Sequence, residues 1–216
     1  MSKKRFAFVG TGGRAISFVE PLVTTYRDSN ELVAICDLSP ARMAYYNSML
    51  AGEWQLTFLS GGPDLPPPLK TSELKSWTEL GGEPTQNFSG TARYRLEFDL
   101  PATKADDWLL DLGDVRESAR VRLNGTDVAT AWSLPFRLRA GAHLKPGHNV
   151  LELDVTNLAA NRIRDLDRRK VDWKIMREIN FVNIDYKPFD ASAWPLTPSG
   201  LLGPVTLTPL RKLVLP

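Results

Sequence analysis

The chain has 216 residues, of which 43% are hydrophobic and 24% charged, the proportions of an ordinary soluble globular protein. Its formal net charge of +2 provides no basic surplus for nucleic acid or a membrane surface, so neither is expected as a partner. A single cysteine, Cys36, excludes an internal disulfide, and no apolar run is long enough to span a bilayer.

The N-terminus has a basic tip followed by Phe6-Ala7-Phe8-Val9. That run is too short for the apolar core of a signal peptide, and Arg14 interrupts soon after, so a cytoplasmic location is expected. The same run, ending at glycine, fits a short buried parallel strand. Gly10-Thr11-Gly12-Gly13-Arg14-Ala15 follows as G-x-G-x-x-A, in which Gly10 permits a tight turn and Gly12 lets the backbone approach a pyrophosphate. A helix is predicted from about Gly13 to Tyr26, its free N–H groups facing phosphate. A second strand is predicted from Leu32 to Cys36, with Asp37 placed to hold a ribose hydroxyl. Ser39 and Pro40 then read as an N-cap and first position of a second helix. The candidate cofactor residues are Gly10, Gly12, Gly13, Arg14 and Asp37.

Residues 3 to about 50, through "VGTGGRA" and "AICDLSPAR", resemble the N-terminus of the Gfo/Idh/MocA oxidoreductases. The resemblance implies an NAD(P)-binding Rossmann domain, and a reading as an oxidoreductase fragment acting on a sugar. The family's further strands, helices and lysine-containing catalytic motif are not found in this chain. Two parallel strands and two helices leave a sheet edge uncovered and cannot bury a sufficient core alone. No cofactor is therefore expected unless other structure completes the site. Residues 1–50 are read as a partial Rossmann βαβα appendage.

Beyond Leu50 the pattern changes to strict alternation. Trp54, Leu56 and Phe58 share one face of a strand. Tyr94, Leu96, Phe98 and Leu100 share one face of another, with Arg93, Arg95, Glu97 and Asp99 opposite. Ala119, Val121 and Leu123 point inward before Asn124-Gly125, a strong hairpin signal. Leu151, Leu153 and Val155 repeat the alternation, and Val205 and Leu207 lie in a last strand. The proline-rich stretch 61–69 and the stretch "LKPGHN" read as a loop and a turn. Short strands separated by turn residues predict a β-sandwich or jelly roll over residues 51–216.

In order, "GEWQLTF", "SWTEL", "FSGTARYRLEFDL", "LDLGDVRESARVRLNG", "WSLPFRLRAG", "LKPGHNVLELDVTNLAANRIRD" and "SGLLGPVTL" resemble the galactose-binding-like β-sandwich of glycoside hydrolases. The resemblance covers about residues 52–212 and is greatest to the family 2 type and its α-L-rhamnosidase-like version. It implies a mainly β, galactose-binding-like jelly roll that binds an oligosaccharide or plant or microbial glycan, or braces an active site. In the resembled enzymes the catalytic carboxylates belong to a separate barrel domain, for which this chain has no room. Trp132, Pro135 and Phe136 match the family's W-x-x-P-F stretch, and Asn157, Asn161 and Arg162 its "VTN…NR" segment. The aromatic that often precedes the Asn-Arg pair is replaced by alanine.

Sugar recognition uses an aromatic platform and planar polar side chains that bond hydroxyls in pairs. Trp132, Trp173 and Trp194 are the candidate platforms, and Asn161, Arg162, Asp165 and Asp185 the candidate polar contacts. For each tryptophan the competing reading is core packing, which is the reading given to Trp54, Trp77 and Trp108. The charge-dense run 161–170 allows a phosphate or polyanion site, but the interspersed Asp165 and Asp167 make it read as a self-compensated loop. His143 and His148 lack further ligands at metal-binding spacing, no G-x-S-x-G elbow occurs, and the sequence locates no calcium site. No catalytic residue or metal ligand is assigned. A further alternative is a rearranged gene product without selected function, suggested by the switch at residues 50–52 without a linker.

Overall fold

The computed structural model describes residues 3–9, 16–36, 50–100, 104–175, 182 and 184–212. A small N-terminal unit comes first. Strand β1 (Lys4–Val9) and strand β2 (Asn30–Cys36) pair in parallel, joined through helix α1 (Ile16–Val23). The expected βαβ order is therefore present, with β2 starting two residues earlier than the apolar run indicated. The glycine turn, Asp37 and the second helix of the βαβα expectation lie outside the described residues. Val19 of α1 is buried, while Phe6, Phe18 and Tyr26 are exposed. The unit leans on the rest of the protein: Glu20 and Thr24 line a small crevice with Leu50, Trp54, Leu74 and Val205.

The remainder is a mainly antiparallel β-sandwich. One layer is a six-stranded sheet of order β4-β3-β5-β11-β8-β9. Its members are β3 (Trp54–Gly62), β4 (Leu69–Thr71), β5 (Ser89–Leu100), β8 (Ser118–Leu123), β9 (Thr126–Ala131) and β11 (Gly147–Thr156). The other layer combines the sheet β10-β6-β13 with the pair β12-β7. These are β6 (Asp107–Asp111), β7 (Asp114–Arg116), β10 (Arg137–Arg139), β12 (Gly200–Gly203) and β13 (Thr206–Leu210).

Alternation decides which face is buried. Leu56, Tyr94, Leu96, Val121, Leu151 and Leu153 are each at most 1% exposed and form one inner face. Trp108, Leu110, Phe136 and Leu207 close on them from the other layer. Each such side chain contributes about 1.5–3 kcal/mol on burial. The opposite face of the six-stranded sheet carries charge in cross-strand pairs, including Arg93 to Asp154 at 2.6 Å and Arg122 to Asp127 at 2.7 Å. Asn124 and Gly125 both take positive φ between β8 and β9, as the hairpin signal requires.

Several expectations need correction. Helix α1 ends at Val23 rather than near Tyr26, and the turn expected over "LKPGHN" stops at Pro146, because Gly147, His148 and Asn149 begin β11 and pair with Leu100, Asp99 and Phe98. The loop expected over 61–69 begins two residues later, because Gly61 and Gly62 complete β3 and pair with Gly90 and Ser89. A side chain at Gly61 would run into Ser89, the Gly90 backbone and Phe88, so the close strand crossing requires glycine there. Leu69, placed in the loop, begins β4. The charged run 161–170 is mostly helix, α4 (Ala160–Arg168), rather than loop. Its Arg162–Asp165 and Asp165–Arg169 pairs have i,i+3 and i,i+4 spacing, which only a helix brings together.

Candidate functional site

The register brings the informative loops to one end of the sandwich. Gly62 pairs with Ser89, Thr91 with Thr156, Thr156 with Ser118, and Ala119 with Ala131. The segments leaving β3, β11 and β9 therefore emerge beside those entering β5 and β8. They carry the proline loop, two short helices, α2 (Trp77–Leu80) and α3 (Glu83–Gln86), α4, and the stretch after Ala131.

An aromatic plug supports this end. Phe58, Trp77 and Phe88 meet edge to face at centroid separations of 4.9 to 5.8 Å. Above it lies a buried polar network. The Asn157 amide donates to the Phe88 carbonyl and to Ser199 Oγ, both at 3.1 Å, and its carbonyl accepts from Gly90 N–H at 2.9 Å. Asn161 donates to the Thr197 carbonyl at 2.7 Å and accepts from Thr197 N–H at 2.8 Å. Ser199 N–H donates to Ser76 Oγ at 2.9 Å, and Trp77 N–H to the Ser199 carbonyl at 3.0 Å. These bonds satisfy groups that burial would otherwise penalise, and they fix where α4 begins.

On α4, Asp165 sits between two arginines. Arg162 Nη1 lies 3.0 Å from its Oδ2, and Arg169 Nη2 lies 2.7 Å from the same oxygen. The hydrogen bond to Asp165 holds the Arg169 guanidinium above its usual range. A two-lobed cleft runs over this arrangement. One lobe, of about 450 Å³, is lined by the proline loop from Pro63 to Pro67 and by Glu83, Asn87, Asp165 and Arg169. The other, of about 460 Å³, has Gln86, Arg164 and Arg168 added to Glu83, Asn87, Asp165 and Arg169.

Asp167 organises an adjacent aromatic cluster. It accepts from the Trp173 indole at 2.7 Å and from Ala191 N–H at 2.8 Å, and Lys174 Nζ lies 3.3 Å away. Burial raises the Asp167 carboxyl, but these donors outweigh it and hold the group below the usual carboxylate range. Phe189 meets Trp173 edge to face at 6.3 Å and Trp194 at 5.5 Å. Lys174 Nζ lies 5.6 Å and 5.5 Å from the Trp173 and Phe189 ring centres. Arg164 Nε donates to the Trp194 carbonyl at 2.7 Å, joining this cluster to the cleft.

Arg162, Asp165, Trp173 and Trp194 thus come together around α4. Asn161 belongs to the same helix but is buried, its amide engaged with Thr197 and Ser199, so it positions the site from beneath. Trp132 is not in the cluster. It follows β9 at the far edge of the same end, 76% exposed beside Leu134 at 79%. Asp185 is exposed. Trp54, Trp77 and Trp108 are core residues, as expected. Gly10, Gly12, Gly13, Arg14 and Asp37 lie outside the described residues. Nothing in the sequence singles out Glu83 and Asn87, and Arg164, Arg168 and Arg169 stand out only as part of the charged run 161–170. Among the described residues no group of three His, Cys, Asp or Glu side chains could hold a metal, and no helix is long and apolar enough to cross a membrane.

The chain matches no protein-family profile. Over 75% of its length it is 36% identical to a putative beta-glucuronidase of Formosa agariphila, and it spans 16% of that protein. Its structure superposes on that of a rhamnosidase from Novosphingobium sp. PP1Y with a TM-score of 0.59 and 32% identity, over 74% of this chain and 14% of that one. A beta-glucuronidase of Bifidobacterium dentium gives a TM-score of 0.44 at 22% identity, over 50% of this chain and 20% of that one. By its likeness to the rhamnosidase, the sandwich is of the kind found in glycoside hydrolases.

Proposed function

We propose that the chain is a carbohydrate-binding or bracing module of a glycoside hydrolase system, with hydrolysis carried out by a separate catalytic domain. The observation that carries this reading is the cleft along α4, where arginines, carboxylates and amides converge beside the exposed Trp194. Planar polar groups can bond adjacent sugar hydroxyls in pairs, and an exposed indole can cover the apolar face of a ring. In this reading Trp194, Trp173, Arg162 and Asp165 serve the site, Asn161 positions it, and Trp132 offers a second platform at the same end. The likeness to the rhamnosidase and to the putative beta-glucuronidase, of which the chain spans only a small part, supports a module of a glycoside hydrolase system.

The test is calorimetric titration of the protein with a panel of neutral and acidic oligosaccharides, alongside turnover assays on aryl glycosides. Saturable binding without turnover is expected. Turnover by the pure chain, or no binding to any saccharide together with no effect on an associated hydrolase, contradicts the reading.

A second reading rests on the parallel β1–α1–β2 unit, which has the order of a dinucleotide-binding fold. It makes the first fifty residues an NAD(P) site completed by other structure. Titration with NAD(P)H distinguishes it from the first.

A further inference from the structure

Resting on the carbohydrate reading, we infer that the α4 cleft selects saccharides bearing an anionic substituent, a carboxylate or a sulfate ester, and that Arg164 and Arg168 receive that group.

The charges around the cleft are unevenly placed. The lobe beneath the proline loop has Asp64, Glu83 and Asp165 on its walls against Arg169. The other lobe has Arg164, Arg168 and Arg169 against Glu83 and Asp165. Asp165 is already neutralised by Arg162 and Arg169. What remains in the second lobe is the charge of Arg164 and Arg168, opposed by the single carboxylate of Glu83. Among the described residues Arg164 is engaged through its Nε alone, on the Trp194 carbonyl, which leaves the outer edge of its guanidinium for a ligand. Arg168 is exposed and has no hydrogen-bond or ion-pair partner among the described residues. The two are four residues apart on one helix, so their side chains lie on the same face.

This arrangement reads a particular chemistry. A planar guanidinium edge fits the paired oxygens of a carboxylate or sulfate better than a lone hydroxyl. The acidic lobe requires donors, which sugar hydroxyls supply, and Leu65, 52% exposed, and the prolines offer an apolar wall for a ring face. A neutral sugar would satisfy the acidic lobe and leave the basic one with water. A free inorganic anion would satisfy the basic lobe alone. A saccharide with one anionic substituent satisfies both, and a cleft of this size holds a small oligosaccharide.

The experiment titrates the whole chain with three probes: a uronate oligosaccharide, the same oligosaccharide with its carboxylates reduced to alcohols, and inorganic sulfate. Each is repeated with Arg168→Gln and Arg164→Gln, whose folding is checked by thermal melting. The expected result is preference for the uronate. Each substitution weakens it by about tenfold, the scale of one charge-assisted hydrogen bond, and weakens the reduced saccharide by less. Equal binding of both saccharides, or a uronate preference that survives both substitutions, overturns this inference and leaves the carbohydrate reading standing. Binding of sulfate alone, or of no probe, overturns this inference; the carbohydrate reading falls with it only if the full saccharide panel also fails to bind and an associated hydrolase is unaffected.

Discussion

Asn157 Nδ2 lies 3.1 Å from Ser199 Oγ and joins residues 42 apart in the chain. The bond ties the end of β11, and with it the start of α4, to the residue that precedes β12. The same asparagine holds Phe88 and Gly90, so one side chain fastens three segments at the candidate site.

Replacing Asn157 by alanine leaves the Gly90 N–H, the Phe88 carbonyl and Ser199 short of a partner in a buried region. A loss of about 1–3 kcal/mol is expected for such a removal. Urea denaturation followed by far-UV circular dichroism measures it. A change under about 0.5 kcal/mol, the range of an ordinary surface substitution, contradicts the bracing role.

Gly200→Ala tests the packing beneath the network. Gly200 has φ +102°, and a Cβ there would collide with the Tyr94 hydroxyl and lie 2.8 Å from Trp77 Cε3. Gly125 also has positive φ, at +82°, with nothing within 4 Å of an added Cβ. Gly125→Ala should cost about 1–2 kcal/mol from its backbone alone. Gly200→Ala adds about 1–3 kcal/mol for overpacking. Equal melting temperatures for the two variants would show that the core yields freely around Gly200.

The Asp167 cluster should respond to acid. Its folded-state pKa lies below the ordinary carboxylate value, so the unfolded chain binds a proton first as pH falls. The stability it contributes is therefore fully present above about pH 4 and is lost as pH falls through the depressed folded value. Melting temperatures recorded from pH 6 to pH 2.5 should fall less steeply at the acid end in Asp167→Asn than in the parent. Parallel curves contradict the assignment.

Much of the sandwich is legible in the sequence, and much of the site is not. Alternation at 54–58, 94–100, 119–123 and 151–155 decides inner from outer faces, because a strand's side chains alternate with period two. Asn124-Gly125 sets a hairpin by its own backbone preferences. The helix at Ala160–Arg168 carries no such local mark: it is strongly polar, and its support comes from Asn161 reaching Thr197 and from arginines closing on Asp165. Those partners are fixed by tertiary packing, so the run reads as a loop when taken alone. Trp173 and Trp194 are recognisable as candidates by type, but their common neighbour Phe189 and the coordinating Asp167 emerge only in three dimensions.

Trp132→Ala and Leu134→Ala should leave the melting temperature unchanged within error, since both side chains are largely exposed. If Trp132 is a sugar platform, its removal weakens saccharide binding without affecting stability. A marked fall in stability would instead show that the indole packs against the protein.

A sugar site on the α4 cleft is tested most directly by a ¹H–¹⁵N correlation spectrum of the six tryptophan indole groups during saccharide titration. Trp54, Trp77 and Trp108 are buried, whereas Trp132 and Trp194 are exposed and Trp173 is half-buried beside Asp167. A bound saccharide should shift the Trp194 and Trp173 signals while those of Trp54, Trp77 and Trp108 stay in place. Indole signals that remain unmoved by every saccharide tested, or that move at the buried positions alone, would contradict a sugar site at this end of the sandwich.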